Sequence, residues 1–435
     1  MSCHVAKRRH KYCCCEQFTQ IQEKAPTHAV TAATTMPMDP PDEFRRPFWV
    51  LLHIHAYARR SRKSAAAEGR GRNNEILRAS LLPNHPPHPS NLYLYRKNGP
   101  FGDTPCVLSM VDSLILFHAY TGPELRFPPA RLCDFFVYRA DPNEPSLKLL
   151  PHPPCSVDRD DPFGIFPRGD KHYTIASLVP SISSAYDHVL HLFDSETQIW
   201  SRKDLIVASP QANFPVDAPV STKQILSQHH TSTLITLGGT IAWVDLWRGI
   251  VFCDMLSEHH ALSGVPLPLP LTLGPARHYR GIALLGGCIR LVEVDSEIVD
   301  LPGTCDGETG WPIGRTENWT ITTWINKSDK GERNSYAAWD KVTTLRGSDI
   351  ILGDHSVKLP IGLQNLFVSD PAISMDDGDG DVVYLTARQK YMHPKSWVLA
   401  VDTRNRKVQN IAYSGHLPAG MPRIDGNYCT CSISN

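Results

Sequence analysis

The 435-residue sequence contains no run of about 18 apolar residues and no apolar stretch of the kind a secretory signal uses, which argues against a membrane span and against secretion. Basic and acidic residues both number 44, so no net charge points to nucleic acid or to an acidic substrate. Its twelve cysteines include no C-x-x-C pair and share no recurring spacing. Reduced thiols fit best, with Cys253 and Cys288, set inside apolar runs, as packing residues. G-x-x-x-x-G-K, G-x-S-x-G and H-E-x-x-H are missing, and "GRGRNN" lacks the third glycine and the preceding strand of a dinucleotide loop. Phosphate cradles, standard nucleophile elbows and one large class of zinc hydrolases therefore have no support. Long helical periodicity is also scarce.

Charge is uneven along the chain: residues 1–100 carry 16 basic and 7 acidic side chains, and the remainder 28 and 37. Residues 1–44 mix basic, small and proline residues without periodicity and read as a disordered, basic, cysteine-rich leader. Cys13, Cys14 and Cys15 beside Lys7, Arg8, Arg9 and Lys11 leave an acylated anchor and an organellar transit segment open as further readings. A body over 45–435 begins with a strand in "RPFWVLLHIHAYARR". "SRKSAAAEGRGRNNE" reads as a loop, and "LLPNHPPHPSNLYLY" as an extended connector.

In "LGGTIAWVDLWRGIVFCDML", Thr240, Ala242 and Val244 fall on one side of an extended segment and Ile241 and Trp243 on the other, the period of a strand. Leu246-Trp247-Arg248-Gly249 reads as a three-residue hairpin loop, with Ile250 to Leu256 returning. In this reading Trp243 is core, Asp245 accepts backbone hydrogen bonds at the turn, and Gly249 is left-handed. Trp247 and Arg248 at the tip either cover a neighbouring sheet or are exposed binding anchors.

Hairpins around Asp194, Asp245 and Asp402 overlay, 51 and then 157 residues apart, and a further one centred on Asp141 lies 53 residues before Asp194. Gly238-Gly239 and Gly286-Gly287, 48 residues apart, each join one apolar strand to the next. A period of about 50 matches one four-stranded, kelch-type blade and predicts an all-β, β-propeller-like body of six or seven blades. Between Asp295 and Asp402 only "TTLRGSDIILGD" marks the period. "VPLPLPL", Val265 to Leu271, lacks the donors a central strand needs and belongs at a sheet edge or in a polyproline II crossing.

The run "WVDLWRGIVFCDML", followed by "VPLPLPL", "YRGIALLGGCIRLVEV" and "WTITTW", resembles the plant family catalogued as domain of unknown function 1618, over roughly Trp243 to Leu385. The flanking "FFVYRADPNEPSLKLLP" and "WVLAVDTRNRKVQ" resemble the wider chains of that group. The resemblance implies a soluble, propeller-like protein akin to the β-rich domains that follow F-boxes, with no established activity and so no catalytic residues to carry over. Two departures stand out: the basic, cysteine-rich leader, and Gly281 where an acidic residue is expected. Residues 1–100 show no F-box helical pattern.

Asp377, Asp379 and Asp381 have the alternate spacing of a calcium loop, but Val382 and Arg388 occupy its glycine and glutamate positions, so an acidic turn is the reading. His229-His230 and His259-His260 could join Cys253 on a metal only one ligand per pair, since adjacent strand side chains point apart. "RRPFWVLLHIHAYARRSRK" is better explained as core than as a nucleic-acid surface. The sequence therefore points to no catalytic residue, metal, cofactor, small-molecule substrate or nucleic acid. It points to a cytoplasmic or nuclear, non-enzymatic scaffold for an unidentified protein partner. The alternative is a propeller-type hydrolase or sugar-active enzyme with its site at a central channel, recognisable by carboxylates, or a carboxylate and a histidine, converging in space.

Overall fold

The computed structural model describes residues 49–59, 66–125, 128–154, 163–169, 171–181, 188–205, 225, 229–237, 239–257, 260, 262–268, 276–305, 312–326, 339–354, 357–376, 380–391, 393, 395–416 and 428–432. The leader expected over 1–44 lies outside them. The fold is all-β. Trp49–His53 (β1) is buried at every position. A three-stranded antiparallel sheet follows: Ala66–Arg70 (β2), Ile76–Leu82 (β3) and Asn91–Arg96 (β4). β2 lies where the sequence suggests a loop, and β4 closes the stretch read as a connector.

Five four-stranded antiparallel sheets come next, each a meander of consecutive strands. The first holds Cys106–Val111 (β5), Leu114–Ala119 (β6), Asp134–Arg139 (β7) and Ser146–Leu149 (β8). The second holds Phe163–Arg168 (β9), His172–Pro180 (β10), His188–Asp194 (β11) and Ile199–Leu205 (β12). The third holds Thr233–Leu237 (β13), Thr240–Asp245 (β14), Gly249–Asp254 (β15) and Leu262–Pro266 (β16). After the single helical turn Ala276–Tyr279 (α1), the fourth holds Arg280–Leu285 (β17), Cys288–Cys305 (β18), Pro312–Asn326 (β19) and Trp339–Arg346 (β20). The fifth holds Phe367–Ile373 (β21), Val382–Arg388 (β22), Lys395–Asp402 (β23) and Lys407–His416 (β24). Tyr428–Ser432 (β25) then pairs antiparallel with β1, His53 opposite Tyr428. β1 also bridges the β4 side in parallel through Leu52 and Ser90, so it lies between β25 and the three-stranded sheet. Among the described residues no helix is long and apolar enough to cross a membrane.

Among the described residues the inner strands pack on both faces, and six apolar cores result, each lying between two sheets. Period-2 alternation divides each strand between two of them. Val50 and Leu52 join the core shared with β2 to β8, whereas Trp49 and Leu51 join the core shared with the fifth sheet. Ile241 and Trp243 face the second sheet, whereas Ala242 and Val244 face the fourth. The first strands of successive sheets touch in order, β5 with β9, β9 with β13, β13 with β17 and β17 with β21, and β25 touches both β21 and β5.

Residues 269–271 of the proline run lie outside the described residues, and its first part behaves as its missing donors require. β16 is the edge strand of its sheet and ends at Pro266. The glycine pairs stand at corresponding places, between first and second strand in the third and fourth sheets, with Gly239, Gly286 and Gly287 at positive φ and Gly238 outside the described residues. The aspartate register is corrected in one place. Asp141, Asp194 and Asp402 close third-to-fourth-strand turns, whereas Asp245 closes the turn between second and third strands. In its sheet the equivalent residue is Asp254, whose carboxylate accepts the Leu256 N–H at 2.9 Å. Every one of these aspartates caps backbone N–H groups of its own turn, so the shared chemistry disguised the shift by one hairpin.

β18 and β19 outrun their sheet. β17 pairs with β18 only as far as Glu293, and β20 with β19 only as far as Thr320. Beyond those points the two strands pair with each other through Asp300 and Gly314, with a register shift at Glu297/Ile298, and form a two-stranded ribbon.

Candidate functional site

The 243–249 hairpin is tightly built. Trp243 is fully buried against the second sheet. Asp245, also fully buried, accepts hydrogen bonds from the Trp247 N–H at 2.8 Å, the His230 N–H at 3.0 Å and the Arg248 guanidinium at 3.2 Å. Gly249 is not left-handed as the turn type suggests, since it is absent from the positive-φ residues and begins β15 opposite Asp245. Its glycine is required by space instead: a Cβ would lie 2.6 Å from the Val265 carbonyl oxygen and 2.9 Å from the Ile225 side chain. Trp247 is half-buried on the core between the third and fourth sheets, and Arg248 folds back on Asp245 while its side chain stays 37 % exposed. Arg280, at the start of the fourth sheet, is buried and donates to the Leu246 carbonyl at 3.1 Å and to Glu293 at 3.3 Å, tying the turn to its neighbour.

A second group converges without a motif to announce it. His278 Nδ1 in α1 lies 3.1 Å from Asp370 Oδ1, and the Asp370 Oδ2 atom accepts the Ser369 hydroxyl at 2.8 Å. Arg388 lies 3.9 Å from the same carboxylate and donates to the Ser369 Oγ at 3.3 Å. All four side chains are buried, and they come from the fourth sheet's entry turn and two strands of the fifth. Burial alone would raise the Asp370 carboxyl; the adjacent His278 ring, then Arg388 and Ser369, outweigh it and hold the pKa below the usual carboxylate range. Asp370 also has φ +53, a left-handed conformation that aspartate tolerates better than most residues, inside a register break between Ser369 and Ala372. Its sequence signal is the polar pair Ser369-Asp370 before a proline in the otherwise apolar "LFVSDPAI".

His53, in β1, feels the charges of both Asp370 and Arg388. Burial lowers its pKa to about 4, against the opposing pull of its His55 backbone hydrogen bond and Asp370. An unfolded histidine titrates near 6.5, so the unfolded chain binds the extra proton first. Stability from this residue is complete above pH 6.5 and is lost as pH falls from there through about 4. A urea titration series should show unfolding free energy declining across that window, His53 contributing on the order of 1 kcal/mol per pH unit, and His53→Gln should make the decline shallower, leaving the part due to His229. An unchanged slope in His53→Gln would rule the assignment out.

The other polar candidates are occupied locally. Asp381 pairs with Arg404 at 2.7 Å, while Asp377 and Asp379 lie outside the described residues, as does His259. His229 is lowered to about 3 by burial and by the charges of His188, His230 and Arg248, and His260 approaches the Asp254 carbonyl at 3.0 Å. Burial, with Asp254 nearby, pushes the Cys253 thiol up to about 12. Among the described residues no group of three or more His, Cys, Asp or Glu side chains is placed to hold a metal. Gly281, the departure noted in the sequence, sits where a Cβ would come within 1.9 Å of the Pro371 carbonyl oxygen. Close approach of β17 to β21 accounts for the glycine and leaves no room for an acidic side chain.

No curated protein matches the chain. A chain from the crystal structure of a mitotic checkpoint complex is 10% identical, with 75% of this chain and 88% of that one covered and a TM-score of 0.34. The computationally designed Ika8 protein is 10% identical, with 88% and 99% covered and a TM-score of 0.30. A hypothetical selenium-binding protein from Sulfolobus tokodaii is 11% identical, with 89% and 95% covered and a TM-score of 0.30. Likenesses of this size carry no argument about fold or function. Residues 243–384, from Trp243 of the hairpin to Tyr384 in β22, match the family described as "Protein of unknown function (DUF1618)", and over that segment the chain is similar to this family.

Proposed function

We propose that the chain is a non-enzymatic protein-interaction scaffold whose body is a six-bladed β-propeller. Support for the propeller comes from the six cores between successive sheets and from the first-strand contacts that return from β25 to β5. The sixth blade would then combine β25 and β1 with β2, β3 and β4. Similarity over 243–384 supports kinship with the plant family named above and, through it, with the β-rich domains that follow F-boxes. A cytoplasmic or nuclear setting goes with this reading, supported by Cys253 and Cys288 as thiols.

Fold alone fixes no function. The observation that carries the scaffold reading is the β18–β19 ribbon, which displays Ile298, Val299 and Leu301 at 39–43% exposure while the convergent charged groups lie inside the packed body. The tip residues Trp247 and Arg248 stay in the proposal as a second contact point, because Arg248 remains accessible. One observation favours the alternative of a hydrolase or sugar-active enzyme: a histidine and a carboxylate do meet, at His278 and Asp370. Affinity purification of the full chain, with quantitative mass spectrometry, should recover a partner in fixed stoichiometry, and a panel of ester and glycoside substrates should give no turnover. Turnover that disappears in a folded His278→Ala variant would overturn the scaffold in favour of the enzyme.

A further inference from the structure

Cys106, the first residue of β5, has a histidine opposite it on either side. His55 faces it across an isolated antiparallel bridge, where the Ala56 N–H donates to the Pro105 carbonyl at 3.0 Å and the Val107 N–H donates to the Ile54 carbonyl at 2.8 Å. His118 of β6 is its partner within the first sheet, and the buried His118 ring packs against Phe135 with centroids 6.0 Å apart. Directly opposed residues of antiparallel strands send their side chains to the same face, so the backbone itself sets the thiol in a row with two imidazoles. The His55 ring closes on it, with Nδ1 3.2 Å from the Cys106 Sγ. His53 backs this arrangement: its ring centroid lies 5.8 Å from that of His55, and its Nδ1 accepts the His55 N–H at 3.2 Å.

What sets this thiol apart is the group beside it. The buried Cys133 and Cys253 sulfurs lie 3.9 and 4.0 Å from backbone carbonyl oxygens, which can only accept from an S–H and so keep the proton on sulfur. An imidazole nitrogen can take that proton. Cys106 is a free thiol and, like His55, only half-buried, so solvent borders a nucleophile and a base that are already within hydrogen-bond reach of each other.

We propose that Cys106 is a covalent modification site for small, uncharged α,β-unsaturated carbonyl compounds, with His55 as general base and then general acid. The thiol proton passes to His55 Nδ1 while the sulfur electron pair bonds the β-carbon. The C=C π pair moves to the α-carbon, and the imidazolium returns the proton there. One S–C and one C–H bond form, one S–H and one C=C π bond break, and nothing leaves. The pair thus supplies both halves of a conjugate addition without an oxidant or a second cysteine. Small size follows from the half-buried thiol. Lack of charge follows from the buried His118–Phe135 pair alongside, where an ion would lose its hydration. The site goes beyond the scaffold reading and needs no partner.

Methyl vinyl ketone is the probe, and peptide mass spectrometry of the full chain reads the labelling rate at each cysteine. At neutral pH Cys106 should be labelled at least about tenfold faster than the exposed Cys305, and His55→Asn should slow Cys106 by at least about tenfold with the Cys305 rate and the melting temperature unchanged. Labelling of Cys106 no faster than that of Cys305 overturns the proposal, as does an unchanged Cys106 rate in His55→Asn. Hydrogen peroxide, run in parallel, should be the slower reagent; oxidation of Cys106 that outpaces its alkylation would make it a redox site, which also overturns the proposal. Should the variant fold poorly, the ratio of Cys106 to Cys305 labelling on the unaltered chain decides the matter alone. None of these outcomes touches the scaffold reading, which stands or falls on stoichiometric partner recovery and on turnover.

Discussion

Trp243→Ala is expected to lower the unfolding free energy by about 3–5 kcal/mol, read as a shift in urea midpoint at constant m-value. The indole is fully buried in the core between the second and third sheets, among Ala176, Leu190, Val251 and Cys253. Neighbours on both sides are strands held in ladders, which restricts how far the cavity can collapse, and poor collapse is what places a substitution at the upper end of this range. Conserving most of the volume with Trp243→Phe should cost less than half as much. A loss in Trp243→Ala of under about 1 kcal/mol would mean that the indole is not a packing element.

Asp370→Asn is expected to cost a similar amount, about 3–5 kcal/mol, for an electrostatic reason. Asparagine keeps the size and tolerates the left-handed backbone, so the change isolates the charge. Without the carboxylate, the Arg388 guanidinium is left buried beside the Ser369 hydroxyl with its countercharge gone. Removing one member of a buried pair strands the other, and adding Arg388→Met should therefore restore part of the loss in a double-mutant cycle. An unchanged urea midpoint in Asp370→Asn would sink the structural role and direct attention to chemistry at His278.

Much of the architecture was legible because a sheet buried on both faces writes its period into the residues twice. "TIAWVD" separates Ile241 and Trp243 from Ala242 and Val244, and those two sets do enter different cores. Alternating prolines in "VPLPLPL" announced an edge strand by subtracting donors. Gly249 was misread because turn statistics recognise a glycine's dihedral freedom but not a backbone oxygen 2.6 Å from where its Cβ would be. The aspartate register slipped at Asp245 because capping chemistry is the same in every turn. The buried charged centre could not be assembled from sequence at all: His278 and Asp370 meet only when the fourth and fifth sheets pack side by side. Arg388 carried no signal beyond failing as a calcium ligand.

The pairing of β1 with β25 also sets the order of assembly. Among the described residues every other ladder joins strands that follow closely in sequence, so those sheets can form as the chain is made. β1 must wait. Until Tyr428–Ser432 arrives, its side toward β25 is a bare row of amide donors and acceptors flanked by the buried Trp49 and Leu51. Joining such distant segments is entropically modest, since closure cost grows only with the logarithm of the loop, but it comes late. The newly made protein thus carries this edge unpaired until late, and β25 acts as the seal that retires it.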